Sequence, residues 1–154
     1  MRKIPAGKKY AFVDDRDYQH VKHYRWTLSP TGYAMARLGG SPVYMHRLIL
    51  NIPTGLEAHH KDRNPLNNQR ANLCICTHGQ NMAARVKHKD NKAGFKGVAF
   101  CRGMKKPWGA QICKDGRIYR LGNFATKEEA ARQYDKIAKD LYGDFAGVNF
   151  PDES

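Results

Sequence analysis

"LEAHHKDRNPLNNQRANLCICTHGQN", residues 56–81, carries an adjacent histidine pair, His59 and His60, and five asparagines: Asn64, Asn67, Asn68, Asn72 and Asn81. The segment is too polar for a core element, yet it is patterned. "LEAHH" reads as an extended piece, the asparagine-rich middle as a loop, "LCICT" as a strand and "HGQNMAARVK" as a helix starting near Thr77. The result is a strand, loop, strand, helix unit. Adjacent residues on an extended chain point to opposite sides, so His59 and His60 can do separate jobs. From His60, Asn72 lies twelve residues on and Asn81 twenty-one.

Upstream of this unit, "YAFV" (10–13) alternates like a short strand, and "DDRDYQHVKHY" offers an Asp N-cap with Tyr18, Val21 and Tyr24 at helical spacing. "RWTL" and "GYAMARL" read as a hairpin around the Ser29-Pro30-Thr31-Gly32 turn signal. "VYMHRLILN" reads as a short helix ending before Pro53, with Leu48, Ile49 and Ile52 free to pack. His20 and His23 have no third ligand near them and read as a solvated face. His46 is expected to pack or to contact phosphate, and His78 to sit near a helix start.

Downstream, "KHKDNKAG" (87–94) has the composition of a linker and divides the chain near residue 90. "FKGVAF", "WGAQICK" and "RIYRLGNF" then give three strands, the latter two joined at Asp115-Gly116. "TKEEAARQYDKIAKDLYG" follows as a helix. Thr126 and Glu129 form its capping box, Ala130, Tyr134, Ile137, Ala138 and Leu141 its apolar stripe, and Gly143 its C-terminal cap. One helix covers one face of such a sheet, and alternation leaves Gln111, Ile118 and Arg120 on the other. Residues 91–125 hold eight Lys or Arg (Lys92, Lys96, Arg102, Lys105, Lys106, Lys114, Arg117, Arg120) against one acid, Asp115.

The whole chain has 154 residues, with 27 Lys plus Arg against 14 Asp plus Glu and a formal charge of +13. Two small modules are favoured over one ordinary domain. The charge calls for a polyanion. A membrane is disfavoured, because no apolar run approaches the ~20 residues of a spanning helix. No signal peptide is evident at the N-terminus, which places the protein in the cytoplasm and its four cysteines (Cys74, Cys76, Cys101, Cys113) in the reduced state.

Hydrolysing a phosphodiester takes a base to deprotonate water, a cation to neutralise the pentavalent phosphate and the leaving 3′ oxygen, and a group that orients the base. A neutral imidazole, with an unperturbed pKa of ~6.5, suits the first task, and a neighbouring histidine can bind the cation. With "MHRLIL", "NPLNN", "ANL" and "THGQN" around the pair, residues 44–85 resemble the HNH endonuclease motif of phage and intron-borne homing nucleases. The resemblance implies a ββα-metal unit in which His60 is the general base, His59 a metal ligand, Asn72 the brace that orients the base and Asn81 the residue completing the metal site. Homing members usually carry aspartate where this chain has His59, and a His-His pair is similar to the colicin-type branch. One divalent cation is implied, Mg²⁺ or Mn²⁺, and the loss of the carboxylate makes the site less attractive to Mg²⁺ and more tolerant of Ni²⁺ or Zn²⁺.

"GFKGV", "WGAQI", "LGNFATKEEAARQYD" and the closing "NF" resemble the APETALA-type (ethylene-response-factor) DNA-binding domain over residues 94–150. Such domains lay the sheet in the major groove. Of the family's contact positions, Lys96 keeps a basic residue, Gln111 a polar one, and Arg120 stands where an aromatic is common. Ala99, Cys101, Cys113 and Ile118 replace arginine or polar groups, so the family's base code does not carry over. Arg102, Lys105 and Lys106 are the expected phosphate contacts, and Lys114 and Arg117 join the expected DNA-binding residues.

The expectation is therefore an α+β chain: a small N-terminal β/α segment leading into the HNH unit (1–89), a linker (90–94), and a three-stranded antiparallel sheet on one helix (95–150). Its function would be metal-dependent cleavage of double-stranded DNA by a monomeric homing-type endonuclease, leaving 5′ phosphate and 3′ hydroxyl ends. A catalytically decayed DNA-binding regulator and a low-specificity phage DNA-processing nuclease are the alternatives.

Overall fold

The computed structural model describes residues 1–86 and 90–151. Residues 87–89, which open the expected linker run, and residues 152–154 lie outside the described residues. In chain order the elements are β1 (Arg2–Ala6), β2 (Lys9–Val13), α1 (Asp15–Val21), β3 (Thr27–Leu28), β4 (Ala34–Leu38), β5 (Ser41–Tyr44), α2 (Met45–Leu50), β6 (Glu57–His60), β7 (Leu73–Cys76), α3 (His78–Ala83), β8 (Val98–Phe100), β9 (Trp108–Lys114), β10 (Arg117–Phe124) and α4 (Lys127–Tyr142), with a 3-10 turn at Gly143–Phe145. The class is α+β. Two compact units are present, Met1–His78 and Gly79–Ser154.

In the first unit β1 pairs antiparallel with β2, β3, β4 and β5 form a three-stranded sheet, and β6 pairs antiparallel with β7. Alternation buries Ile4 and Ala6 from β1 and Ala11 and Val13 from β2, and these join Val21, Trp26, Met45, Ile49, Leu66 and Leu73 in one core. Two strands differ from the sequence reading. β1 precedes the expected "YAFV" strand, and β5 takes Val43 and Tyr44 from the expected helix, leaving α2 to begin at Met45. Both contain a proline, Pro5 and Pro42; each strand has one partner strand, and the bridge on the other side of β1 runs from Ala6 to Trp26, so neither proline faces a ladder that needs its N–H. α1 stops at Val21, short of Tyr24, because the Trp26 indole N–H takes the Val21 carbonyl at 2.8 Å. Asp14 makes no side-chain cap; its carboxylate accepts instead from Arg70 N at 2.8 Å and Gln69 Nε2 at 3.3 Å.

In the second unit the strand order is β10-β9-β8, all antiparallel, with a bulge at Leu121. α4 lays Ala130, Ala131, Tyr134 and Ala138 against Val98, Ala110 and Ile112. Its capping box is complete: Glu129 N donates to Thr126 Oγ1 at 3.2 Å, and Thr126 N donates to Glu129 Oε2 at 3.4 Å. Gly97, at φ 72°, passes so close to α4 that a Cβ there would lie 2.0 Å from Tyr134 Cδ2. The chain after α3 is held inside this unit. The Lys96 ammonium donates to the carbonyls of Ala83 and Arg85, and Gly147 N donates to Ala83 O at 2.9 Å. These bonds put the boundary between units ahead of the compositional linker. Among the described residues, no helix is long and apolar enough to cross a membrane.

Candidate active site

The β6–β7 ladder pairs Glu57 with Cys76, Ala58 with Ile75, His59 with Cys74 and His60 with Leu73. The pleat therefore sends His60 inward, at 5% exposure, and leaves its neighbour His59 partly exposed on the other side. His60 Nε2 lies 3.3 Å from Asn68 Oδ1. The orientation of that amide is set, because Asn68 Nδ2 donates to Leu66 O at 3.2 Å. An amide oxygen only accepts, so Nε2 carries the proton and Nδ1 is left as the basic nitrogen. Burial holds the His60 imidazole below its ordinary pKa, against the opposing pull of the Asn68 hydrogen bond and of Asp62.

Around this ring stand Tyr33, 5.6 Å away between centroids, and His46, perpendicular at 5.3 Å. His46 stacks on Tyr44 at 5.6 Å, and its buried Nδ1 has no hydrogen-bond partner among the described residues. Burial, then the neighbouring His60 and Arg47, push its pKa down to about 3. His46 thus packs against the His60 ring.

The loop from Lys61 to Asn72 is braced at both ends. Asn72 Oδ1 accepts from Asp62 N at 3.0 Å, while its Nδ2 donates to Asp62 Oδ1 at 2.9 Å and Asn67 O at 2.8 Å. Burial pushes the Asp62 carboxyl up, but the donors from Asn64, Asn67 and Asn72 outweigh it and hold the group below its ordinary value. In the middle of the loop Phe12 N donates to Leu66 O and Asn68 N to Phe12 O, both at 2.7 Å. Arg70 grips buried Asp17 through Nε at 2.8 Å and Nη2 at 2.9 Å, and also donates to Ile49 O at 2.7 Å. Asn72 therefore ties the loop that follows His60, whereas the contact to the ring itself comes from Asn68. Sequence reasoning gave Asn68 no role, and the only available signal was the Asn67-Asn68 pair.

For a cation the chain offers a lean donor set. Among the described residues, no group of three or more His, Cys, Asp or Glu could hold a metal ion. Asp62 has its oxygens engaged by Asn64, Asn67 and Asn72. Of the two residues expected to bind the cation, His59 stands on β6 in the first unit and Asn81 on α3 in the second. Such donors fit a divalent ion that takes most of its ligands from water and phosphate. His78 opens α3 and its Nδ1 pairs with Glu57 Oε1 at 2.8 Å. All four cysteines are free thiols, and burial pushes Cys76 up to about 11. His20 and His23 are exposed.

In the second unit, register sets Gln111 opposite Arg120 and Cys113 opposite Ile118, all exposed on the face away from α4. Arg102, Lys105 and Lys106 are exposed between β8 and β9, and Lys114 and Arg117 flank the Asp115-Gly116 turn. Lys96 stands apart from them, its ammonium bound to the Ala83 and Arg85 carbonyls.

A family model described as HNH endonuclease matches residues 43–83. The chain is 35% identical over 74 residues to dehydration-responsive element-binding protein 2E of Arabidopsis thaliana, which covers 48% of this chain and 30% of that protein. It is 38% identical over 65 residues to the 2A protein of the same plant, 41% of this chain and 19% of that one. No solved structure matches significantly. An uncharacterised HNH endonuclease of Acanthamoeba polyphaga mimivirus is 30% identical over 146 residues, 91% of this chain and 74% of the viral protein. With that relative matched along most of both lengths, and the histidine loop lying within the matched motif, the chain belongs to the HNH endonuclease family.

Proposed function

We propose that the protein is a metal-dependent, homing-type endonuclease that hydrolyses double-stranded DNA to 5′ phosphate and 3′ hydroxyl ends, with the β8–β10 sheet reading part of the target. The observation that carries this reading is the buried His60 ring fixed through Nε2 to Asn68, which keeps a neutral base with Nδ1 as its acceptor. Nδ1 takes a proton from the attacking water, and Asn72 and Arg70 hold the loop so that the ring does not turn. A divalent ion, when bound by His59 and Asn81 together with phosphate oxygens, supplies charge for the pentavalent phosphate. Arg102, Lys105, Lys106, Lys114, Arg117 and Arg120 hold the DNA backbone, and Gln111 meets a base edge. Membership of the family implies nuclease activity. The similarity of residues in the second unit to plant element-binding proteins supports the division of labour.

A second reading has one observation in its favour: the motif's leading pair is His59-His60, with an imidazole where homing members usually carry a carboxylate. A chain that binds DNA without turnover would be a regulator. Incubating the protein with genomic DNA in Mg²⁺, Mn²⁺, Ni²⁺ or EDTA and sequencing the ends separates the cases. Metal-dependent breaks at a restricted set of sites support the homing reading. Breaks at many sequences at similar rates indicate a low-specificity processing nuclease, and DNA binding without breaks indicates the regulator.

A further inference from the structure

The free face of the β8–β10 sheet mixes apolar side chains with Gln111 and Arg120 inside a basic surround. Ala99 and Gly109 face each other, Cys113 faces Ile118, and Gln111 faces Arg120. Ile118 is 65% exposed, a large β-branched side chain displayed to water on a strand whose other face is covered by α4. Among these six residues only Gln111 and Arg120 carry strong hydrogen-bonding groups, and Asn123, opposite Gly109, directs its amide to Lys106 O at 3.3 Å and Met104 Sδ at 3.5 Å. Around them lie Arg102, Lys105, Lys106, Lys114 and Arg117, with Asp115 the lone acid of residues 91–125. A basic rim about an apolar centre complements a polyanion whose groove floor presents apolar projections. In the DNA major groove the thymine C5 methyl is that projection. RNA offers neither the methyl group nor a major groove that side chains can enter.

Resting on the DNA-binding reading above, we infer that this face recognises thymine methyl groups. Ile118 and Cys113 form the methyl-contacting pair and Gln111 reads an adenine, so the target contains A·T pairs beneath the β9–β10 hairpin. The small side chain of exposed Ala99 lets the groove floor approach, while Gly109 is overlaid by Cys101, whose Sγ lies 3.1 Å from where a Gly109 Cβ would stand. Arg120, beside Gln111, is left for a guanine edge or a phosphate.

The test uses the full chain in EDTA, so that no strand is cut. Bound sequences are selected from a random duplex pool, and each thymine of the selected site is then replaced by deoxyuridine, which removes the methyl and keeps the pairing. Wild type should lose about fourfold in affinity at one or two thymines, the worth of one buried methyl group. Ile118→Ala, at an exposed position, should bind the thymine and deoxyuridine sites alike. Lys106→Ala should weaken both and keep the difference between them. If DNA is bound and no deoxyuridine swap matters, or if wild type loses affinity and Ile118→Ala loses just as much, the methyl assignment is overturned while the DNA-binding reading stands. If concentration-dependent self-association appears and Ile118→Ala abolishes it, the face is a contact between copies and the assignment is likewise overturned. No binding to any duplex sinks both.

Discussion

His60 is a histidine whose two ring nitrogens have been given different jobs by one amide. Changing Asn68 to Asp puts a carboxylate where Oδ1 meets Nε2, which favours the imidazolium and raises the pKa. The base is then neutral over a narrower range, so the acid limb of the single-turnover pH–rate profile should move to higher pH, by about one unit or more. In wild type the same limb should fall below the ordinary histidine range, since burial lowers the pKa of His60. His60→Ala should slow cleavage by ~10² to 10⁴ while changing DNA affinity little, as read by single-turnover rates and filter binding. His46 gives a stability prediction. Its folded pKa of about 3 lies below the ~6.5 of an unfolded chain, so between those values the unfolded state binds the extra proton. Stability is then full above the unfolded value and declines as pH falls through that window, on the order of 1–2 kcal/mol by pH 5. His46→Phe should flatten the thermal midpoint against pH between pH 7 and 4. The His59-His60 pair and the spacings to Asn72 and Asn81 were legible because they are local in sequence. The packing of His46 was expected, but Asn68 was not legible, because its role depends on which way an amide faces, and neither were the rings around His46, since Tyr33 and His60 come from other elements.

At the scale of elements, α4 and the three strands before it were readable to the capping box, since each local signal there agrees with the fold. Strands β1 and β5 were hidden by Pro5 and Pro42, which break central strands but sit without penalty on a side that no strand pairs. α3 ended sooner than its composition suggested. Its last carbonyls are taken by Lys96 and Gly147, a C-terminal closure supplied by residues far along the chain that no window around residue 83 contains. Gly97 is the most constrained position in this part of the molecule. Gly97→Ala places a methyl against the Tyr134 ring and 2.7 Å from Gln111 O at a positive φ, and should cost on the order of 3 kcal/mol or more, measured by denaturant unfolding.

For the molecule as a whole, the two units matter more than the linker composition. The expected cut after Lys89 separates Lys96 from the Ala83 and Arg85 carbonyls it binds, whereas a fragment beginning at Gly79 keeps them together. Residues 79–154 should therefore melt at a higher temperature than residues 90–154, by several degrees if the closure contributes ~1 kcal/mol. Either fragment should bind duplex DNA without cutting it, and a fragment that bound none would falsify the division of labour. The charge of +13 predicts a steep fall of affinity with salt, and Lys106→Ala should lower the slope of log affinity against log salt by about one.

The tether from Arg70 to Asp17 has a consequence for timing. Asp17 is buried on α1, Arg70 also reaches Ile49 O, and the middle of the same loop is hydrogen-bonded to Phe12 on β2. The segment carrying Asn68 is thus stitched to the core of its unit and has no private route to opening. Its amide protons, Asn68 N–H above all, should exchange with deuterium only as slowly as the buried strands do, because releasing them requires melting the whole unit. The amide that holds the His60 ring is mounted on this segment, so on the proposed reading of His60 as the base its ordering entropy is already spent during folding, and no settling of this loop stands between encounter and proton transfer.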